Sequence, residues 1–295
     1  MNKAQKQCFE VLEKRGCPVA ALCYDFDKTL SPKDMQEYGF IERLSMSAEE
    51  FWRASNELVK SADMDSILAY MFTMTKEAKR KGIIITEKDL RELGKDIELF
   101  KGVEDWFYRI NAFGINNQTV IEHYIISSGI KEIIEGNPIA QWFTKIYASS
   151  FYYDDSGRAV WPRQAVNFTT KTQYLFRINK NCEIEDVNRY MPDEKRRIPF
   201  SHFIYIGDSE TDIPCMRLIK SSGGNSIGVY NPADDKGKKT VSNLIKENRI
   251  NYYAPADYSE GGMMEMIVKK IIAQIKAKHE LQRISAQQYA NALRN

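Results

Sequence analysis

Pro18-Val-Ala-Ala-Leu-Cys-Tyr-Asp25-Phe-Asp27-Lys-Thr29-Leu30 is the stretch on which the fold turns. Pro18 to Phe26 is a continuous apolar run of strand length, and it stops at acidic residues. An unbroken run of this kind, unlike an alternating one, suits a strand covered by helices on both faces. Upstream, residues 2–15 carry a weak helical periodicity in Phe9, Val11 and Leu12.

Downstream the character changes. From 31 to 113 apolar positions recur at helical spacing, among them Phe51, Leu58, Leu68, Met71, Met74, Leu90, Leu93, Leu99 and Phe100. Ser47-Ala-Glu-Glu50 and Thr86-Glu-Lys-Asp89 read as helix starts. Strand-type runs resume at 119–127, 145–153, 202–208 and 226–230, with a short one at 250–254. Helical stretches near 130–144, 171–178, 212–220 and 239–247 separate them, and Asp154-Asp-Ser-Gly157 supplies a hairpin turn within 145–168. The alternation predicts an α/β fold with a doubly wound, mostly parallel sheet. The helical block 31–113 is then an insertion after the first strand. The tail from Gly262 reads as a surface helix on the core, carrying Ile267, Ile271 and Ile275.

Ligands of open parallel sheets bind at the carboxyl ends of the strands. Here one strand ends in Asp25-Phe-Asp27-Lys-Thr29, the next in Ser127-Ser128-Gly129, and a later one in Gly207-Asp208-Ser-Glu-Thr-Asp212. Carboxylates brought together repel, which calls for a divalent cation with oxygen ligands. Helix starts and turn N–H groups are seats for phosphate. Each piece alone is also an ordinary cap or turn. Their joint placement on one edge carries the functional reading.

These motifs resemble the haloacid dehalogenase superfamily, within it the phosphoserine phosphatase-like branch. The matching residues are Asp25-x-Asp27-x-Thr29, the serine at the end of the second strand, a downstream lysine, and Gly207-Asp208-x-x-x-Asp212. The resemblance covers roughly 18–30 and 119–255. It implies a Rossmann-like hydrolase core over 1–30 and 114–295, with an inserted helical cap domain over 31–113. It implies a phosphatase with Asp25 as nucleophile and Asp27 as general acid and base. Mg²⁺ is expected on Asp25, the backbone carbonyl of Asp27, Asp208 and Asp212, the last directly or through water. Thr29, Ser127 and Lys171 are expected around the phosphoryl group, Thr29 orienting its loop by hydrogen bonding, with Ser128 left open as an alternative to Ser127. Lys33 and Asp34, just beyond the nucleophile loop, are the expected specificity residues, by position only.

The 295 residues carry a net charge of +2, 43% hydrophobic and 28% charged residues, so nothing in the balance calls for nucleic acid or an anionic membrane. Five widely spaced cysteines without a CxxC pair fit neither a disulfide framework nor a zinc site, and a cytoplasmic setting is expected. The expected partner is a small phosphomonoester, without membrane or nucleic acid. His123, His202 and His279 share no metal-ligand spacing. The alternatives are a phosphotransferase or mutase on the same scaffold, a non-catalytic binding module, and a serine hydrolase. The last would use Ser226 in Gly224-x-Ser226-x-Gly228, with Asp257 and His279. Its context fails, because strand-like residues follow the serine where a helix is needed. The charged segment 181–200 has no assigned role.

Overall fold

The computed structural model describes Met1 and residues 3–294. Its elements in chain order are α1 (Lys3–Lys14), β1 (Val19–Tyr24), α2 (Phe40–Arg43), α3 (Ala48–Ala62), α4 (Ser66–Arg80), α5 (Glu87–Leu93) and α6 (Val103–Asn116). There follow β2 (Val120–Ile130), α7 (Lys131–Gly136), β3 (Phe143–Tyr153), β4 (Ala159–Gln164), α8 (Lys171–Lys180) and β5 (Phe203–Gly207). The chain ends with α9 (Ile213–Ser221), β6 (Asn225–Tyr230), α10 (Asp235–Lys246), β7 (Tyr252–Pro255) and α11 (Met263–Ala292).

Among the described residues the strands form one sheet in the order β4-β3-β2-β1-β5-β6-β7. All pairings are parallel except β3 with β4, which is the hairpin closed by Asp154. The apolar run of β1 occupies the centre because both its faces are covered. Ala20, Leu22 and Tyr24 enter one buried cluster, shared with α1, α6 and α11. Ala21 and Cys23 enter the other, shared with α8, α9 and α10. The doubly wound, mostly parallel α/β fold is therefore the one expected.

Several boundaries differ from the sequence reading. The helix expected over 130–144 breaks at Asn137-Pro138 into α7 and a 3₁₀ turn, since proline lacks an N–H and restricts the residue before it. β2 continues to Ile130, past the end expected at Ser127. Its ladder with β3 nevertheless breaks between Ile126 and Ile130, and residues 127–129 sit in the irregularity. In α11, Val268, Ile271, Ile272 and Ile275 are buried, whereas Leu281, Ile284, Tyr289 and Leu293 lie exposed.

The helices of 31–113 divide between two neighbourhoods. α3 and α4 pair with each other, and α4 reaches β4. α6 lies on β2 and between α1 and α11, with Trp106, Phe107 and Ile110 fully buried. A boundary at 113 would thus cut through a helix that belongs with the sheet. α5 crosses α7 with backbones in contact: a Cβ on Gly136 would stand 1.8 Å from the Arg91 carbonyl oxygen, and one on Gly94 2.0 Å from that of Ile133.

Candidate active site

The register Tyr24↔Ile206 places the next residues of β1 and β5 side by side at the carboxyl edge of the sheet. The Asp25 N–H donates to the Ile206 carbonyl (3.0 Å), which fixes the start of the loop that carries Asp25 and Asp27. The loop then turns back on the Phe26 carbonyl, which accepts from the N–H groups of Thr29, Leu30 and Ser31. Lys28 takes up the left-handed conformation (φ 58°) at its apex.

Asp25 is buried, and its two oxygens accept from the Phe26 N–H and from Lys171 Nζ, both at 2.8 Å. Lys171 opens α8 and is completely buried. Its three protons go to Asp25 (2.8 Å), Asp212 (2.8 Å) and the Thr211 hydroxyl (3.3 Å). Asp212 is completely buried as well. Its Oδ1 accepts from Lys171 and from Tyr205 OH (2.7 Å), and its Oδ2 from the N–H (3.2 Å) and hydroxyl (3.0 Å) of Ser209. Gly207 makes this fold-back possible, because a Cβ there would fall 2.6 Å from the Asp212 carboxyl. Asp208 accepts from the Thr29 hydroxyl at 3.1 Å. Thr29 thus ties the Asp25 loop to the later motif.

Carboxylate oxygens of Asp25, Asp208 and Asp212 lie within 4.8 Å of one another. Three acids face a single buried ammonium, so the set is short of positive charge. The acidities register this. Burial pushes Asp25 up to about 6, with Lys171 opposing and Asp212 adding to the rise. Burial, then the charges of Asp212 and Asp25, holds Asp208 well above the ordinary carboxylate range. Burial works against the Lys171 charge, but Asp212 and Asp25 outweigh it and raise its pKa. An all-oxygen acidic set short of charge fits a hard divalent cation.

Asp27 stands apart from this cluster. Its Oδ1 accepts from the Met35 N–H (2.9 Å). Burial, then the charges of Asp34 and Asp25, lifts its pKa well above the usual range. Ser127 is buried and its hydroxyl accepts from the Gly129 N–H (3.0 Å), which leaves its own proton to donate elsewhere. The Ser128 hydroxyl is buried without a hydrogen-bond partner among the described residues, and the Ser128 carbonyl accepts from Tyr70 OH (2.6 Å) and Ser149 Oγ (3.0 Å). Of the two specificity candidates, Asp34 pairs with Lys28 (2.7 Å) and acts on Asp27 through its charge. Lys33 is exposed, over the Tyr38 ring.

The helical segment closes on this edge. Tyr70 of α4 reaches the Ser128 carbonyl, and Asp65, the N-cap of α4, accepts from Asn167 Nδ2 (2.9 Å) in the loop before Lys171. Ser226 lies elsewhere, in β6, bonded to Asn251 (3.2 Å), while His279 contacts the Gly16 carbonyl. No nucleophile elbow forms there, and the serine hydrolase alternative falls. Sequence reasoning missed Tyr70, Tyr205, Ser209 and Thr211. Ser209-x-x-Asp212 is a capping-box pattern and was readable. The tyrosines read as core aromatics.

A doubly wound sheet with an aspartate loop after its central strand and acidic partners beside it defines the class. The chain belongs to the haloacid dehalogenase-like hydrolases, whose family pattern it matches over residues 22–217. It is 29% identical over 290 residues to an uncharacterized protein of Borreliella burgdorferi, covering 86% of this chain and 96% of that one. Among solved structures, a probable phosphoserine phosphatase from Vibrio cholerae in unliganded form superposes with TM-score 0.56 at 12% identity, over 93% of this chain and 73% of that one. A phospho-aspartyl intermediate analogue of phosphoserine phosphatase gives 0.51 at 14% identity, over 86% and 99%. At these identities the structural likeness is one of fold. Among the described residues no helix is long and apolar enough to cross a membrane.

Proposed function

We propose that the chain is a phosphatase that hydrolyses a small phosphomonoester through an aspartyl-phosphate on Asp25. The observation that carries this is the pairing of two carboxyls, two residues apart, of which one is bonded to an ammonium and the other, among the described residues, is not. Asp25 accepts from Lys171 Nζ at 2.8 Å and is raised only to about 6, whereas burial and the charges of Asp34 and Asp25 hold Asp27 well above the usual range against the weaker pull of the Met35 N–H and the Lys28 charge. One is thereby suited to attack and the other to donate a proton.

In this mechanism an Asp25 oxygen bonds to phosphorus as the ester P–O bond breaks, and Asp27 gives its proton to the departing oxygen. Asp27 then takes a proton from water, whose oxygen attacks the acyl phosphate. Inorganic phosphate leaves and Asp25 is restored. Lys171 and Ser127 donate to the phosphoryl oxygens as charge develops on them. Mg²⁺ would be held by Asp25, the Asp27 backbone carbonyl and Asp208. Asp212 completes the acidic set, as a ligand directly or through water. The cation supplies neutralisation of the acidic set and the phosphoryl group. Residues 31–102 form the lid, with Asp34 the residue nearest the leaving group, and α6 is assigned to the core.

The test is release of phosphate from p-nitrophenyl phosphate and a panel of phosphometabolites, with Mg²⁺ and after chelation. Activity should vanish with chelator and return with Mg²⁺. Asp25→Asn should lower turnover about a thousandfold or more with unchanged melting. Turnover of that variant within about tenfold of wild type would sink the covalent mechanism.

A further inference from the structure

We propose that Tyr205 is a positioning residue of this site, acting through Asp212 on Lys171. Tyr205 lies in the middle of β5, in an apolar run where phenylalanine would pack as well. Phe203 and Tyr205 point to the face covered by α8 and α9, Ile204 and Ile206 to the other. The ring is completely buried, and a buried hydroxyl is unfavourable unless it finds a partner. The partner here is Asp212 Oδ1, at 2.7 Å.

That oxygen is the one that also receives Lys171 Nζ. Two donors therefore converge on one oxygen, while Ser209 holds the other through its N–H and hydroxyl. Together they fix the plane of the Asp212 carboxylate. Lys171 has three protons and three acceptors, so its direction towards Asp25 follows from where Asp212 and Thr211 stand. Without the tyrosine hydroxyl, Asp212 Oδ1 keeps Lys171 as its one donor and the carboxylate is fixed from the Ser209 side alone. A turn of Oδ1 about that side shifts the ammonium off its line to Asp25. Tyr205 touches neither Asp25 nor the reacting phosphoryl group, and its effect passes through two side chains.

The kinetic arm of the test rests on the phosphatase reading; a second arm does not. Tyr205→Phe is close to isosteric and should keep the melting temperature near that of wild type. The Lys171 ammonium resonance, assigned by its loss in Lys171→Arg, should shift in Tyr205→Phe. With p-nitrophenyl phosphate, kcat should fall roughly tenfold, as expected for losing a hydrogen bond to a charged group, with KM little changed. In an Asp212→Ala background the same change should have almost no further effect, because the acceptor that links Tyr205 to Lys171 is gone. An unmoved resonance, a kcat within about twofold of wild type, or an equal loss in the Asp212→Ala background overturns the proposal. A wild-type protein that releases no phosphate would sink the phosphatase reading and leave the resonance to decide on Tyr205.

Discussion

At the scale of single residues, the buried polar groups away from the site are as informative as those within it. His123 is 1% exposed, in the middle of a chain of hydrogen bonds. Trp106 Nε1 donates to Tyr24 OH (2.9 Å), Tyr24 meets His123 Nδ1 (3.0 Å), and His123 Nε2 meets Asn111 Oδ1 (3.1 Å). Burial, followed by the positive chain terminus, lowers its pKa from 6.5 to about 3, so the folded protein holds it neutral. A folded-state pKa below the unfolded one means that the unfolded chain takes up a proton first as pH falls. The stability contributed by neutral His123 is therefore whole above 6.5 and is lost from there downwards. The slope approaches about 1.4 kcal/mol per pH unit. Urea midpoints of wild type and His123→Gln should accordingly converge between pH 7 and pH 5, and a gap independent of pH would refute neutral burial. In the sequence this histidine showed only that it had no metal-ligand neighbours. By contrast, Asp25, Asp208, Asp212 and Lys171 were legible, because acids at strand ends and a lysine opening a helix have few other reasons to share one edge. Tyr205 was hidden for the opposite reason: an aromatic in an apolar strand needs no explanation until its hydroxyl's partner is known.

At the scale of elements, the crossing of α5 and α7 is set by two glycines. The helices touch backbone to backbone at Gly94 and Gly136, and Asn137 Nδ2 donates to the Gly94 carbonyl (2.9 Å) across the same junction. Gly136→Ala puts a methyl where the Arg91 carbonyl stands, and neither main chain can yield cheaply. The variant should lose roughly 1–3 kcal/mol, the scale of overpacking a close contact, measured by urea or thermal unfolding. An alanine tolerated without loss would mean that the crossing opens freely. The contact also means that α5 is anchored to the core, so any swinging of the lid belongs to α3 and α4. Sequence periodicity could not distinguish these helices. Trp106, Phe107 and Ile110 repeat with the same spacing as Met71 and Met74, and a helical stripe does not record which surface it meets.

For the molecule as a whole, the lid and the strand order bear on use and on assembly. Two hydrogen bonds, Tyr70 to Ser128 and Asn167 to Asp65, pin α4 over the carboxyl edge. A cover held this way favours a small ester, which can be enclosed, over a phosphorylated polypeptide, which cannot. The best small phosphomonoester should exceed a phosphopeptide about tenfold or more in kcat/KM, and Tyr70→Phe combined with Asp65→Ala should narrow that ratio. Equal rates on both in the unaltered protein would discard the enclosing lid. The strand order has its own consequence. The central strand precedes both its neighbours in the chain, yet Lys171 is 146 residues beyond Asp25, and Asp208 is 179 beyond Thr29. At ordinary synthesis rates the nascent chain carries its Asp25 loop for on the order of ten seconds or more before either partner exists. The Asp25 loop is thus made long before the groups that complete its cluster, and a chain that stops before β5 carries neither Asp208 nor Asp212.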